Sequence, residues 1–204
     1  MKTVIAMLIV MLPLSVLAQF RRGQIFVGGF LSGSSETYNS MSSKEVTNQL
    51  NVYPSAGYFL NSKILVGSSL GYYTSRRLIH SNGVTQTAGR SNSFYLAPFV
   101  RNYFVISESF SIAFQGQLTL MRGTIESQIG SIYSSRLPTY SVSADISPIF
   151  IFFPSPKWGI EAGIGSVSYT YYRVLPDVSS TNTFSFSSGK FTFGLTYYFS
   201  KKEK

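Results

Sequence analysis

The chain has 204 residues, enough for one domain with a sizeable core, and charged residues make up only 12% of it, well below the roughly 25% usual in soluble domains. It contains no cysteine, which excludes disulfides, thiolate metal sites and a lipoprotein anchor. The formal charge is +9, but the only basic cluster is the terminal KKEK, so we expect no nucleic-acid partner, because such proteins carry a concentrated basic footprint.

The first predicted element is a secretory signal peptide. The segment MKTVIAMLIVMLPLSVLAQ carries a charged Lys2, an apolar stretch over residues 4–17 and small or compact residues before a cleavage site ahead of Gln19. The alternative is a retained membrane-spanning helix, but the apolar stretch is shorter than the ~20 residues that such a helix needs. We therefore expect a cleaved signal at residues 1–18 and one domain at residues 19–204.

Beyond the signal, alternating apolar residues recur in eight segments, and this period of two predicts β-strands with two unlike faces. The apolar face of each strand occupies alternate positions within residues 25–31, 50–60, 64–72, 94–100, 110–120, 140–152, 158–171 and 191–199. The opposite faces carry Ser, Gly, Thr and Gln with a few charges.

Two kinds of irregularity interrupt these strands. The alternation changes parity at Gly165–Ser166, which predicts a β-bulge. Proline also precedes an aromatic pair in YPSAGYF (53–59), APFVRNYF (97–104) and SPIFIFF (147–153). Because proline lacks an N–H donor, we expect bulges or missing ladder bonds at these three places.

The predicted connections alternate in length. Short ones at residues 61–62, 104–109 and 154–157 separate long ones at about 33–48, 75–92, 122–139 and 173–188. The long ones are rich in Ser, Thr, Asn and Gly, and we interpret them as loops. Short turns on one side and long loops on the other are typical of an outer-membrane barrel.

We therefore predict an all-β fold, an eight-stranded antiparallel up-and-down transmembrane β-barrel with short periplasmic turns and long extracellular loops. A soluble barrel has its apolar face inside. Here the polar face is short of Lys and Glu, which suits a packed lumen better than a solvated coat. Aromatic residues at the strand ends also predict two interfacial girdles. They are Tyr58/Phe59, Tyr72/Tyr73, Tyr103/Phe104, Phe152/Phe153/Trp158, Tyr171/Tyr172 and Tyr197/Tyr198/Phe199.

Several stretches carry a family resemblance, namely YPSAGYFLNSKILVGSSLGYY, FYLAPFVRNYF, FSIAFQGQL, GIEAGIGSVSY and FGLTYYF. The chain resembles small outer-membrane barrels of the OmpA and OmpX type, in particular the Bacteroidetes outer membrane protein β-barrel group, which has a porin-family label. The resemblance implies a monomer in the outer membrane of a Gram-negative bacterium, inserted by the barrel-assembly machinery and surrounded by lipopolysaccharide. Only KKEK follows the barrel, so we expect no peptidoglycan-binding domain.

Three charged residues, Arg101, Asp145 and Glu161, lie on the inward parity of their strands. An eight-stranded lumen is just wide enough for packed side chains, so we expect Arg101 to reach Glu161 and Asp145 as a lumen charge network. The network would serve as a structural plug with compensated charge, as a gate for ions, or in acid–base chemistry.

Six arginines fall near the long-loop ends of strands, which predicts a ring at the outer interface. They are Arg76, Arg77, Arg90, Arg122, Arg136 and Arg173. The forked guanidinium pairs well with phosphate, so one hypothesis is contact with phosphates of the outer-leaflet glycolipid. The alternative is interfacial snorkelling.

Two other features point weakly to chemistry. GSSLG (67–71) matches the nucleophile-elbow pattern, but that motif requires a strand turning into a helix, and here the alternation continues to Tyr72. His80 is the only histidine, and we expect it to be a solvated loop residue. One histidine and no cysteine form no recognisable metal site, and we expect no cofactor.

The sequence leaves three functions open. The favoured one is a non-enzymatic outer-membrane protein with a structural or surface-interaction role. The alternatives are a narrow channel for ions or small solutes, as the porin label implies, and a lipid A-modifying enzyme.

Overall fold

The structure, a computed structural model, describes residues 20–40, 43–81, 83–129, 133–175 and 180–199. The predicted signal peptide and the terminal KKEK lie outside these residues. No helix in the described ranges has the length and apolar character needed to cross a membrane.

The described residues form a closed barrel in which each strand pairs with its neighbours along the chain and the last strand returns to the first. All pairings are antiparallel. The strands are β1 (Ile25–Asn39), β2 (Ser43–Phe59), β3 (Ile64–Ser81), β4 (Val84–Ser107), β5 (Phe110–Ile129), β6 (Tyr133–Ser155), β7 (Trp158–Val174) and β8 (Ser180–Phe199). The predicted eight-stranded up-and-down architecture is present in this part of the chain.

The two ends of the barrel differ. At one end, here called the turn end, short connections join β2 to β3, β4 to β5 and β6 to β7. At the other, here called the hairpin end, β1–β2, β3–β4, β5–β6 and β7–β8 extend as four hairpins. β1 and β8 pair only from Ile25↔Phe199 to Leu31↔Phe193, so the cylinder is closed near the turn end and the hairpins continue beyond it.

The prediction of four long loops is wrong. Strand pairing continues through most of those segments, as far as Asn39↔Lys44 and Ser81↔Val84 in the first two hairpins. Ser, Thr and Asn are compatible with an exposed hairpin as well as with a loop, so their abundance did not distinguish the two. The short connections observed are residues 60–63, 108–109 and 156–157, and each overlaps its predicted counterpart. The second and third are shorter than predicted, because β4 continues to Ser107 and β6 to Ser155.

Both predicted irregularities are confirmed. The β7–β8 register shifts between Ile164 and Ser166, and Gly165 has φ of +70°, a left-handed conformation that favours glycine at a bulge. Each proline of the three repeated motifs pairs with the preceding strand but interrupts the ladder to the next. The interruptions span Val52–Ser55 in β2, Leu96–Phe99 in β4 and Ile146–Ile149 in β6, the last with a register shift.

One ladder is interrupted at each proline because the N–H and C=O of a strand residue point to the same neighbouring strand. Losing the N–H therefore weakens pairing on one side and leaves the other intact. A closed barrel therefore accommodates the three prolines at the cost of one locally interrupted ladder each.

The apolar face points outward, as predicted. Leu70, Phe94 and Ile146 are 64%, 68% and 60% exposed, and every strand contributes large apolar side chains to this outer surface. The inward residues between them are buried or partly buried.

The lumen at the turn end is filled by an aromatic floor that the sequence analysis missed. We define this aromatic floor as Phe20, Phe26, Phe59, Tyr103, Phe153 and Tyr198, all of them buried. The Phe20 ring stacks on Phe59 with centroids 4.6 Å apart and lies 4.6 Å from the ring of Tyr103. The segment that carries Phe20 is fixed by two backbone hydrogen bonds, from Gly23 N to Phe59 O and from Phe59 N to Gln24 O.

The girdle prediction is therefore half wrong. Consecutive residues of a strand point to opposite faces, so an aromatic pair cannot lie wholly on the outside. Tyr58 and Phe152 face outward, whereas their neighbours Phe59 and Phe153 lie in the aromatic floor.

Candidate functional site

The strongest candidate for a functional element is a buried ion pair against the aromatic floor. Arg101 on β4 and Glu161 on β7 lie on strands that are not neighbours, so their contact crosses the lumen. Arg101 Nη1 lies 2.8 Å from Glu161 Oε1, and the two side chains are 1% and 0% exposed. The structure thus brings together two of the three residues of the expected charge network.

The guanidinium of Arg101 is held on every side. Its Nε and Nη2 donate to Gln115 Oε1 at 3.0 and 2.8 Å, and Nη1 also donates to the Tyr103 hydroxyl at 3.1 Å. The Phe26 ring lies 5.1 Å from its Cζ, within cation–π range. Glu161 Oε2 is buried and has no hydrogen-bond partner among the described residues. The pair is shielded from solvent, so chemistry or ion passage at Glu161 would require the floor to open.

Asp145, the third residue of the expected network, lies elsewhere. It pairs with Gln117 on β5 and Ser168 on β7, nearer the hairpin end than the residues that pair with Arg101 and Glu161. No ion pair or hydrogen bond of its carboxylate is present within the described ranges. It lines a cavity of about 300 Å³ in the lumen above the ion pair.

The six arginines of the predicted outer ring divide by face. Five of them follow the outward parity of their strands, namely Arg76, Arg90, Arg122, Arg136 and Arg173. Arg77 is adjacent to Arg76 and so points to the opposite face, where its Nε lies 2.6 Å from Glu45 Oε1. The expectation of one ring of six is therefore incorrect.

Three of the outward arginines lie beside other side chains. Arg136 Nε is 3.4 Å from Glu126 Oε1, a solvent-exposed ion pair. Arg122 lies over the ring of Tyr140, with its Cζ 5.5 Å from the ring centroid. Arg173 is the cross-strand partner of the same tyrosine. The ion pair occupies part of the hydrogen-bonding capacity of Arg136, and Tyr140 covers one face of the Arg122 guanidinium.

Arg76 and Arg90 form a distinct site. They are directly opposed across β3 and β4, and like charges in that position destabilise a sheet unless something compensates them. Arg76 Nη2 donates to Thr87 Oγ1 at 3.1 Å, and neither arginine forms an ion pair with a described carboxylate. Both line an outward cavity of about 540 Å³, together with Asn48, Thr74 and Glu126 among others. Glu126 is also the cross-strand partner of Arg90, so the cavity combines guanidinium donors that suit an anion with one carboxylate that already pairs with Arg136.

The two remaining sequence features have structural positions. GSSLG (67–71) runs straight through β3, so the sharp turn that a nucleophile elbow requires is not formed there. His80 lies at the end of β3, within the strand rather than in a loop, and its Nδ1 is 2.7 Å from Thr85 Oγ1.

Comparison with known proteins gives the fold. No protein-family model matches the chain, and no curated protein matches it. Neisserial surface protein A matches over 87% of this chain and 100% of its own, with a TM-score of 0.50 and 13% identity. The shared feature is a small antiparallel β-barrel.

Two structures from Pseudomonas aeruginosa match less well. OprG matches over 89% of this chain and 98% of its own, with a TM-score of 0.49 and 13% identity. The N-terminal β-barrel domain of OprF matches over 87% of this chain and 98% of its own, with a TM-score of 0.46 and 14% identity. At these identities the likeness extends to the fold alone.

Proposed function

We propose that this protein is an integral outer-membrane β-barrel that serves as a non-enzymatic component of the cell envelope, with its hairpins at the cell surface. The observation that carries the proposal is the belt of exposed apolar side chains around a closed barrel. Soluble monomers rarely expose contiguous apolar patches larger than a few hundred Å². Over the pairs from Ile25↔Phe199 to Leu31↔Phe193, where β1 and β8 close the barrel, no strand edge is left unpaired toward hydrocarbon.

An apolar outer face and a polar inner face are the arrangement expected of a barrel in the outer membrane. Outward Leu, Ile, Val and Phe side chains would contact lipid. The Ser, Thr and Gln side chains that line the upper lumen, which is the part between the ion pair and the hairpin end, would not. The protein of similar fold from Neisseria is named a surface protein, which agrees with a position at the cell surface. A folded, detergent-stable barrel that runs differently on a gel before and after boiling is the first test.

The lumen of the proposed barrel is closed rather than conducting. The Arg101–Glu161 pair and the aromatic floor are inaccessible to solvent and lie across the turn end. In planar bilayers we expect the folded protein to give no discrete conductance steps. Reproducible steps from a folded, monodisperse sample would instead favour the narrow channel.

The non-enzymatic role has its own test. Lipid A from cells with and without the expressed protein should give identical mass spectra. A new or missing acyl or phosphate group that depends on expression would favour the lipid A-modifying alternative.

We also propose that Arg76 and Arg90 contact a phosphate of outer-leaflet lipopolysaccharide. Each arginine lies four residues nearer the hairpin tip than the outermost outward aromatic residue of its strand, Tyr72 or Phe94, so both would lie at the height of the headgroups. A phosphate between them would compensate the two opposed charges. Each charge-assisted hydrogen bond contributes about 1.5–3 kcal/mol.

A matched pair of variants tests this contact. The double variant Arg76→Gln/Arg90→Gln should retain less lipopolysaccharide per mole of purified protein than the wild type. The double variant Lys63→Gln/Arg77→Gln changes the charge equally, but Lys63 lies at the turn end and Arg77 already pairs with Glu45, so its retention should stay close to wild type. Equal losses in both variants would refute a specific site and favour general snorkelling.

A further inference from the structure

The upper lumen contains a pocket that none of the functions above uses. Two cavities of about 300 and 430 Å³ adjoin there and share Tyr53 and Gln117 in their walls. The Arg101–Glu161 pair and the aromatic floor close the lumen below them, whereas the strands continue as separate hairpins above. The upper lumen is therefore a blind pocket that faces the hairpin end, and its volume falls in the range of small-molecule sites.

One wall of this pocket carries a carboxylate without a partner. Asp145 lines the smaller cavity, and no cation or hydrogen-bond donor of the described residues contacts it. Glu161, the inward carboxylate at the turn end, is already paired with Arg101. A partly buried and uncompensated negative charge is costly, so the pocket favours a cationic occupant.

The other wall carries tyrosine rings that are held in place. Tyr53 stacks on Phe30 with centroids 5.3 Å apart, and its ring lies 6.2 Å from that of Tyr95. The Tyr95 hydroxyl donates to Asn51 Oδ1 at 2.8 Å, and its ring covers Gly71 so closely that a Cβ there would overlap it. Tyr53 lines the same cavity as Asp145, and Tyr95 lines the adjoining one. Aromatic faces attract organic ammonium groups through the ring quadrupole.

We propose that the upper lumen binds a small organic cation, with its ammonium group on Asp145 and its body against Tyr53 and Tyr95. A divalent metal ion fits less well, because Ca²⁺ is bound by six to eight oxygen ligands and the described lining of this pocket supplies one carboxylate and no cluster of potential metal ligands. A neutral sugar would leave that carboxylate uncompensated. This ligand site requires a lumen that is closed at the turn end, and so it rests on the proposed function.

The test compares a charged probe with its neutral isostere. Choline and 3,3-dimethyl-1-butanol have the same shape but differ in charge, and both can be titrated calorimetrically into the folded protein in detergent at constant ionic strength. We expect choline to bind at least about tenfold more tightly than the alcohol, since a desolvated cation–π contact contributes about 2 kcal/mol. Equal binding of the two probes, or no binding of choline, would overturn the proposal.

Two variants of equal charge change locate the site. Asp145→Asn keeps the shape of the side chain and should weaken choline binding by about tenfold or more. Glu36→Gln removes a carboxylate from the exposed end of β1 and should leave binding unchanged. Equal effects of both variants would show a non-specific charge effect and refute the pocket. The gel shift and the bilayer recording, measured on the same samples, report separately on the fold and on lumen closure.

Discussion

Removing the negative partner of the buried ion pair should destabilise the barrel strongly. Glu161→Gln preserves the size of the side chain but leaves the Arg101 charge without a counter-ion in a site that is 1% exposed. The hydrogen bonds to Gln115 remain, but their acceptor is a neutral amide oxygen that does not neutralise the charge. Breaking a buried ion pair from one side typically costs about 3–5 kcal/mol, and we expect a loss of that size.

The loss can be measured by urea unfolding in lipid vesicles, with the folded fraction read from unboiled gels. Asp145→Asn is the matched control, because it also removes an inward carboxylate but breaks no ion pair, and since the charge it removes is uncompensated we expect no loss of stability. The double variant Arg101→Met/Glu161→Met should recover much of the stability, since apolar replacement of both partners is often neutral. A Glu161→Gln barrel as stable as wild type would refute a structural role for the pair.

Three further predictions use the same unfolding assay. Gly165→Ala should lower the free energy of unfolding by about 1–3 kcal/mol, because alanine is strained in the left-handed conformation and its Cβ would meet a carbonyl of β8. The control Gly83→Ala, with a similar φ of +75° and no atom within 4 Å of the added Cβ, should lower it by about 1 kcal/mol. Equal effects of the two variants would contradict this explanation of the bulge. Phe20→Ala should lower the free energy of unfolding by about 3–5 kcal/mol and raise the leak current in planar bilayers, because it removes a ring from the aromatic floor. An unchanged urea midpoint would show that the aromatic floor does not need this ring. Glu45→Gln should change stability by less than about 1 kcal/mol, because its partner Arg77 is 53% exposed, and a larger loss that persists at high salt would contradict that expectation.

The periodicity of the sequence was enough to predict the strands, their outward face and the bulge at Gly165. These features depend on the order of apolar and polar residues along one strand, which the sequence displays directly. The proline interruptions were predictable for the same reason, because the missing N–H is a local property.

Features that depend on two or more strands were harder to predict. The inward parity of Arg101 and Glu161 was evident, but only the register between strands separates Asp145 from them. The aromatic floor was missed because adjacent aromatics were both assigned to the outer girdles, although alternation places one of each pair inside, as at Phe59. The hairpins were missed because Ser- and Thr-rich segments suit exposed strands and loops equally well.

The central claim is that the apolar outer face contacts hydrocarbon. The chain has no cysteine, so a nitroxide can be attached to a single introduced thiol in vesicle-embedded protein. Leu118 lies mid-strand on the outer face and Tyr38 lies close to the tip of the first hairpin. We predict that a label at Leu118→Cys collides with oxygen and is protected from a water-soluble nickel complex, while a label at Tyr38→Cys shows the opposite. Equal access of the nickel complex to both positions would contradict a barrel that spans the membrane.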